Sequence, residues 1–101
     1  MLRRELAEKI KKSVSDWAKQ YPHVELARVE VLPSGFDDDV DVIVVAKKGF
    51  ENWRKIARQA DIADFIGKQL GDSIVVKIPI LHAFTEEQYE KYETTGDGAF
   101  V

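Results

Sequence analysis

The sequence of 101 residues contains no cysteine. That absence excludes a disulfide framework, every thiolate zinc site and a cysteine nucleophile, and it fits a reducing, cytoplasmic setting. Long apolar runs are also missing. The longest, Val42 to Ala46, is far below the roughly 20 residues a membrane-spanning helix needs. The N-terminus is charged and amphipathic rather than a secretory signal, so the reading is of a chain without a membrane. Neither charge sign dominates, with 15 Lys and Arg against 18 Asp and Glu and a net charge of −3. No internal repeat or low-complexity segment is present. What remains is one domain over 1–101 with a single core, closed by a flexible tail over 94–101.

Apolar residues recur at Leu6, Ile10, Val14, Trp17 and Tyr21, the period of an amphipathic helix, which Pro22 ends by about Gln20. Val24 to Leu32 reads as a strand with Ala27, Val29 and Val31 on one face and Arg28 and Glu30 on the other. The Pro33-Ser34-Gly35 turn leads to a second strand, Val40 to Ala46, apolar on both faces and therefore central, and the two form an antiparallel hairpin. Trp53, Ile56, Ala57, Ala60, Ala63, Ile66 and Leu70 return to helical spacing. Asp61 and Asp64 stand at capping-box spacing, so one helix or two short ones meeting near Ala60 fit equally. Ile74, Val76 and Ile78 alternate as a third strand over Ser73–Ile78, ended by Pro79. Thr85 and Gln88 form a capping box that opens a last helix through Glu93.

This order, α-β-β-α-β-α, predicts an α+β fold: a two-layer α/β sandwich with a three-stranded mixed sheet and helices on one face. The densest polar constellation is Asp37-Asp38-Asp39-Val40-Asp41. Residues two apart in a strand share a side, so Asp39 and Asp41 form a carboxylate pair suited to a hard cation such as magnesium. An acidic turn that merely solubilises a hairpin end gives the same pattern. Two basic clusters, Lys9, Lys11, Lys12 and Lys19, then Lys47, Lys48, Arg54, Lys55 and Arg58 around Trp53, have the composition of a phosphate-backbone surface. The acidic balance of the chain favours solvated helix faces instead. His23 and His82 have no second ligand at helical or turn spacing. Trp17 and Trp53 fall on apolar stripes as core residues.

Asp38-Asp39-Val40-Asp41 running into Val42-Ile43-Val44-Val45 resembles the second-strand motif of the minimal nucleotidyltransferases, small relatives of the polymerase-β superfamily. Ile62 to Gly71 followed by an apolar strand is similar to that family's helix, Leu-Gly and third strand. The resemblance implies that Asp39 and Asp41 would bind magnesium carrying a nucleoside triphosphate. The family's Gly-Ser loop is absent, Leu32-Pro33-Ser34-Gly35 standing in its region, and its third carboxylate falls near Val75 or Val76. The resemblance therefore implies a degraded, non-catalytic version of the fold that acts through a protein partner or as a homodimer. The magnesium-dependent enzyme is the alternative. The element order, with Gly49-Phe50-Glu51 after the second strand, also resembles the BolA-like and KH-like group. That likeness implies weak nucleic-acid binding, although the group's helical histidine and Gly-x-x-Gly loop are not found.

Overall fold

The computed structural model describes residues 3–35 and 38–95. Seven elements follow one another: α1 (Arg3–Ala18), β1 (Glu25–Pro33), β2 (Val40–Lys48), α2 (Lys55–Leu70), α3 (Asp72–Val75), β3 (Ile80–Thr85) and α4 (Glu86–Thr95). The sheet has the order β1-β2-β3, with β1 antiparallel and β3 parallel to β2. The α+β class and the mixed three-stranded sheet are those expected from the sequence.

The apolar stripe of α1 becomes its buried face, with Leu6, Ile10, Val14 and Trp17 almost wholly removed from water. Its last turn tightens through bonds three residues apart, ending with the Tyr21 N–H on the Ala18 carbonyl, before Pro22. In β2, Val40, Val42, Val44 and Ala46 face α1 and α2, while Ile43 and Val45 face the other way. The two long helices therefore lie together on one side of the sheet. The short α4 covers part of the opposite side, where Tyr89 and Tyr92 pack on Ile43, Val45 and Phe84.

Three details depart from the expected pattern and one decides between alternatives left open, each for a local reason. A β-bulge between Leu26 and Arg28 leaves Ala27 exposed and turns Leu26, with Val29 and Val31, toward the core. α2 runs unbroken past Ala60, because Asp61 is not a cap. Its carboxylate instead accepts the Trp17 Nε1–H from α1 and the hydroxyl of Tyr21, just beyond that helix. The third strand is not Ser73–Ile78: Gly71, at φ 97°, restarts a single helical turn, α3, that buries Ile74 and exposes Val76. The strand begins at Ile80, on the other side of Pro79. A strand start tolerates a preceding residue without an N–H. Finally, Thr94 and Thr95 belong to α4 rather than to a tail, and positions 96–101 lie outside the described residues.

The Thr85–Gln88 capping box is formed in both directions. The Gln88 N–H donates to Thr85 Oγ1 at 3.1 Å and the Thr85 N–H donates to Gln88 Oε1 at 2.9 Å. Gly49, at φ 102°, ends β2 where a Cβ would stand 2.6 Å from both the His23 carbonyl oxygen and Val24 Cα, so the β2–α2 turn depends on glycine.

Candidate functional site

The described members of the acidic run have separate surroundings. Asp38 is held by Lys77, whose Nζ lies 3.1 Å from its carboxylate and keeps its pKa below the usual value. The Asp39 backbone carbonyl accepts the Ser34 N–H. Asp37 lies outside the described residues. Asp41 sits on the α4 side of the sheet in a cross-strand row, with Leu32 opposite on β1 and Ile80 opposite on β3. Its Oδ1 is buried without a hydrogen-bond partner, and burial raises its pKa against the opposing pull of His82. Strand β3 contains no acidic residue; on the side of Asp41 it presents His82. Among the described residues no group of three or more His, Asp or Glu is arranged to hold a metal ion.

This geometry makes Asp41 an energetic burden on the fold. A buried acceptor without a partner costs about 1–3 kcal/mol, and an apolar side chain in the Leu32–Asp41–Ile80 row removes that cost. Asp41→Leu is therefore expected to stabilise the protein by about 1 kcal/mol, a rise in Tm of roughly 4–8 °C at neutral pH. Because the folded-state pKa is raised, the wild-type penalty appears as pH rises through the carboxylate range. The advantage of the variant should thus shrink in acid. Thermal unfolding by circular dichroism at several pH values checks this, and a lower Tm for the variant at neutral pH would show that the carboxylate has a favourable role.

The basic clusters are also redistributed. Lys12 and Lys19 pair with Asp16, and Lys47 and Lys48 approach Glu25. Trp53 is half-buried in an aromatic cluster with Trp17, Tyr21 and Phe50, and His23 stands edge-on to Tyr21. Arg58 is not a surface cation at all, being only 4% exposed. Its guanidinium donates to the carbonyls of Trp53, Ala83 and Phe50 and to Gln88 Oε1, at 2.7–2.9 Å. None of these acceptors is a carboxylate. Burial accordingly lowers the Arg58 pKa, with the charge of Glu51 opposing.

Arg58 stands behind the most chemically distinct concavity, a cavity of about 590 Å³ at the outer edge of β3. Lys55 and Ile56, in the first turn of α2, form one wall, Gln59 and Gln88 contribute amides, and Ile80 and His82 lie on the strand side. His82 stacks on Phe84 with centroids 4.7 Å apart, and Lys55 Nζ lies 4.5 Å from the Phe84 centroid. Burial lowers the Lys55 pKa and the charge of Arg58 adds to the effect; burial and the charge of Lys55 likewise lower that of His82, against Asp41. Around this cavity, large aliphatic side chains meet water: Ile56 is 73% exposed, Ile80 46% and, on the adjoining sheet face, Leu32 45%.

The sequence reading missed Lys55, Gln59 and Gln88 as neighbours, and treated Arg58 as a surface cation. One signal was present: Arg58, Ile62 and Ile66 fall at spacings of four on one face of α2, so the arginine occupies a buried position. No protein-family model matches the chain, and neither does any curated protein or any solved structure. No helix among the described residues is long and apolar enough to cross a membrane.

Proposed function

We propose that this chain is a small non-catalytic protein-interaction module whose working surface is the outer edge of β3 with the adjoining open end of the sheet. The observation that carries the reading is the grouping of exposed Ile56 and Ile80 around one cavity, with Leu32 in the Ile80 row. Exposed aliphatic side chains rimmed by polar groups are the usual composition of a contact surface. The surroundings of Asp41 support the same reading, since its strand neighbours are the apolar Leu32 and Ile80 and β3 brings no second carboxylate to its side.

The test is a selection of displayed peptides, with both free C-termini and internal segments, against the wild-type protein and an Ile56→Asp, Ile80→Asp variant. Ile56 is largely exposed, whereas Ile80 is half-exposed and stands opposite Asp41, so the double variant should lose some Tm to carboxylate repulsion. The Ile56→Asp single variant, away from Asp41, should keep the wild-type Tm and show a loss of binding in the same direction. The expected result is enrichment of sequences that bind the wild type and lose at least about tenfold in affinity on the variant, a loss of about 1.4 kcal/mol. No enrichment, or equal binding to both proteins, would overturn the reading. Sedimentation of the two proteins separates a foreign partner from a second copy, because only self-association through this surface would disappear in the variant. For the magnesium-dependent alternative, a rise in Tm with magnesium and a nucleoside triphosphate, lost in Asp39→Asn, Asp41→Asn, is the result that would favour it.

A further inference from the structure

The polar groups around the β3-edge cavity are almost all donors. Gln88 Oε1 already accepts from the Thr85 N–H and from Arg58, which fixes the orientation of its amide and leaves Nε2 as its remaining polar group. Gln59 Oε1 accepts the Ala83 N–H, so its Nε2 is likewise the free end. Lys55 can only donate. α2 begins here without a side-chain cap on its first turn, adding the positive end of the helix dipole. Behind these groups lies the buried guanidinium of Arg58, hydrogen-bonded to four neutral oxygens, with no carboxylate among the described residues in hydrogen-bond reach and Glu51 opposing its charge from farther away. Lys55 and Arg58 bring positive charge to the cavity, opposed by Asp41 in the row of Ile80, and the free amide and ammonium groups call for acceptors.

The walls are apolar at Ile56 and Ile80, which asks for a ligand with an apolar body. The edge of β3 adds a third requirement. The Ala83 N–H and C=O turn away from β2 toward Gln59 and Arg58. By the two-residue alternation of a strand, the N–H and C=O of Leu81 turn to the same open edge, beside the cavity. An anion with an apolar group next to it and a main chain to pair with Leu81 is the end of a polypeptide.

We propose that this cavity binds the C-terminal carboxylate of a partner peptide whose last residue is aliphatic. The carboxylate meets Lys55 and the two glutamine amides, the last side chain lies against Ile56 and Ile80, and the peptide backbone pairs with Leu81. This inference rests on the interaction-module reading and narrows it to one partner chemistry.

The experiment is an NMR titration of the ¹⁵N-labelled protein with pools of degenerate hexapeptides ending in Leu, Ile or Val. The same pools as C-terminal amides and hexanoate alone serve as the other arms. The expected result is saturable shifts of the Leu81 amide and of the Gln59 and Gln88 side-chain NH₂ groups with the free-acid pools. Binding should be about tenfold or more weaker for the amides and for Lys55→Met, and close to wild type for Lys55→Arg. Equal binding of acid and amide pools would overturn the proposal, as would binding of hexanoate as tightly as the peptides, which would make the ligand a small acid. No shift at millimolar peptide would overturn it too. Internal segments selected on the same surface, with the amide pools binding equally, would defeat this inference and leave the interaction module standing. A display that enriches nothing would defeat the module reading itself.

Discussion

Replacing Arg58 by methionine is expected to remove about 3–5 kcal/mol of stability, lowering Tm by roughly 20 °C. The guanidinium ties together three segments distant in sequence: the β2–α2 turn through the Phe50 and Trp53 carbonyls, the β3 edge through Ala83, and the α4 cap through Gln88. Two opposing effects decide the outcome. Burying the charge is costly, and replacing a buried charge by an apolar side chain can be stabilising when the partners go with it. Here the partners stay. Three carbonyls arranged around the guanidinium lose its donors, at about 1–3 kcal/mol for each that water cannot reach, while Gln88 Oε1 keeps the Thr85 N–H. Stacking of the guanidinium on the Phe50 ring, 4.9 Å from its centroid, is lost as well. Lysine keeps the charge, but its single nitrogen cannot span acceptors on three segments, so Arg58→Lys should recover less than half of the loss. Urea unfolding of the three proteins measures this. A loss below about 1 kcal/mol for Arg58→Met would show that the carbonyls find water or other donors.

The positions that local physics dictates were legible in the sequence, and those set by distant partners were not. The buried stripe of α1, the two-faced apolar β2 and the Thr85–Gln88 cap each depend on residues within a few positions of one another, and each forms as its pattern predicts. The failure at Ser73–Ile78 has a physical origin. A single helical turn is too short to show a period, and Ile74, Val76 and Ile78 satisfy the strand alternation, although Val76 ends up 76% exposed. Pro79 fits the end of a strand at Ile78 as well as the start of one at Ile80, because its missing N–H is compatible with both. Once β3 is moved to Ile80–Thr85, the alternation brings His82 onto the side of Asp41, a juxtaposition invisible with the strand on the wrong side of the proline. Asp61 is the clearest case of distant control. Its spacing to Asp64 mimics a cap, yet its partners Trp17 and Tyr21 lie 44 and 40 residues away.

That clasp between α1 and α2 carries the second large expected effect. Trp17 is fully buried, with its ring centroid 5.3 Å from Tyr21, 5.9 Å from Trp53 and 6.1 Å from Phe50. Trp17→Ala empties the centre of this cluster and is expected to cost about 3–5 kcal/mol, a large share of the stability of a domain this size. Trp17→Phe keeps most of the apolar volume but removes both the Nε1–H that reaches Asp61 at 2.8 Å and part of the buried ring, so about 1–3 kcal/mol should be lost. A loss for Trp17→Ala no larger than that for Trp17→Phe would show that the ring common to both Trp and Phe contributes nothing at this position. The other half of the clasp predicts a dependence on alkaline pH. The Tyr21 hydroxyl donates to Asp61 at 2.5 Å, and that bond, with burial and the carboxylate charge, raises the phenol pKa. A phenol whose pKa is higher in the folded protein stabilises the fold below its unfolded value of about 10 and loses that contribution as pH rises through the folded value. Stability should therefore fall in strong alkali more steeply for the wild type than for Tyr21→Phe. Urea unfolding between neutral and alkaline pH reads the difference, and parallel curves for the two proteins would show that the hydroxyl is not held by Asp61.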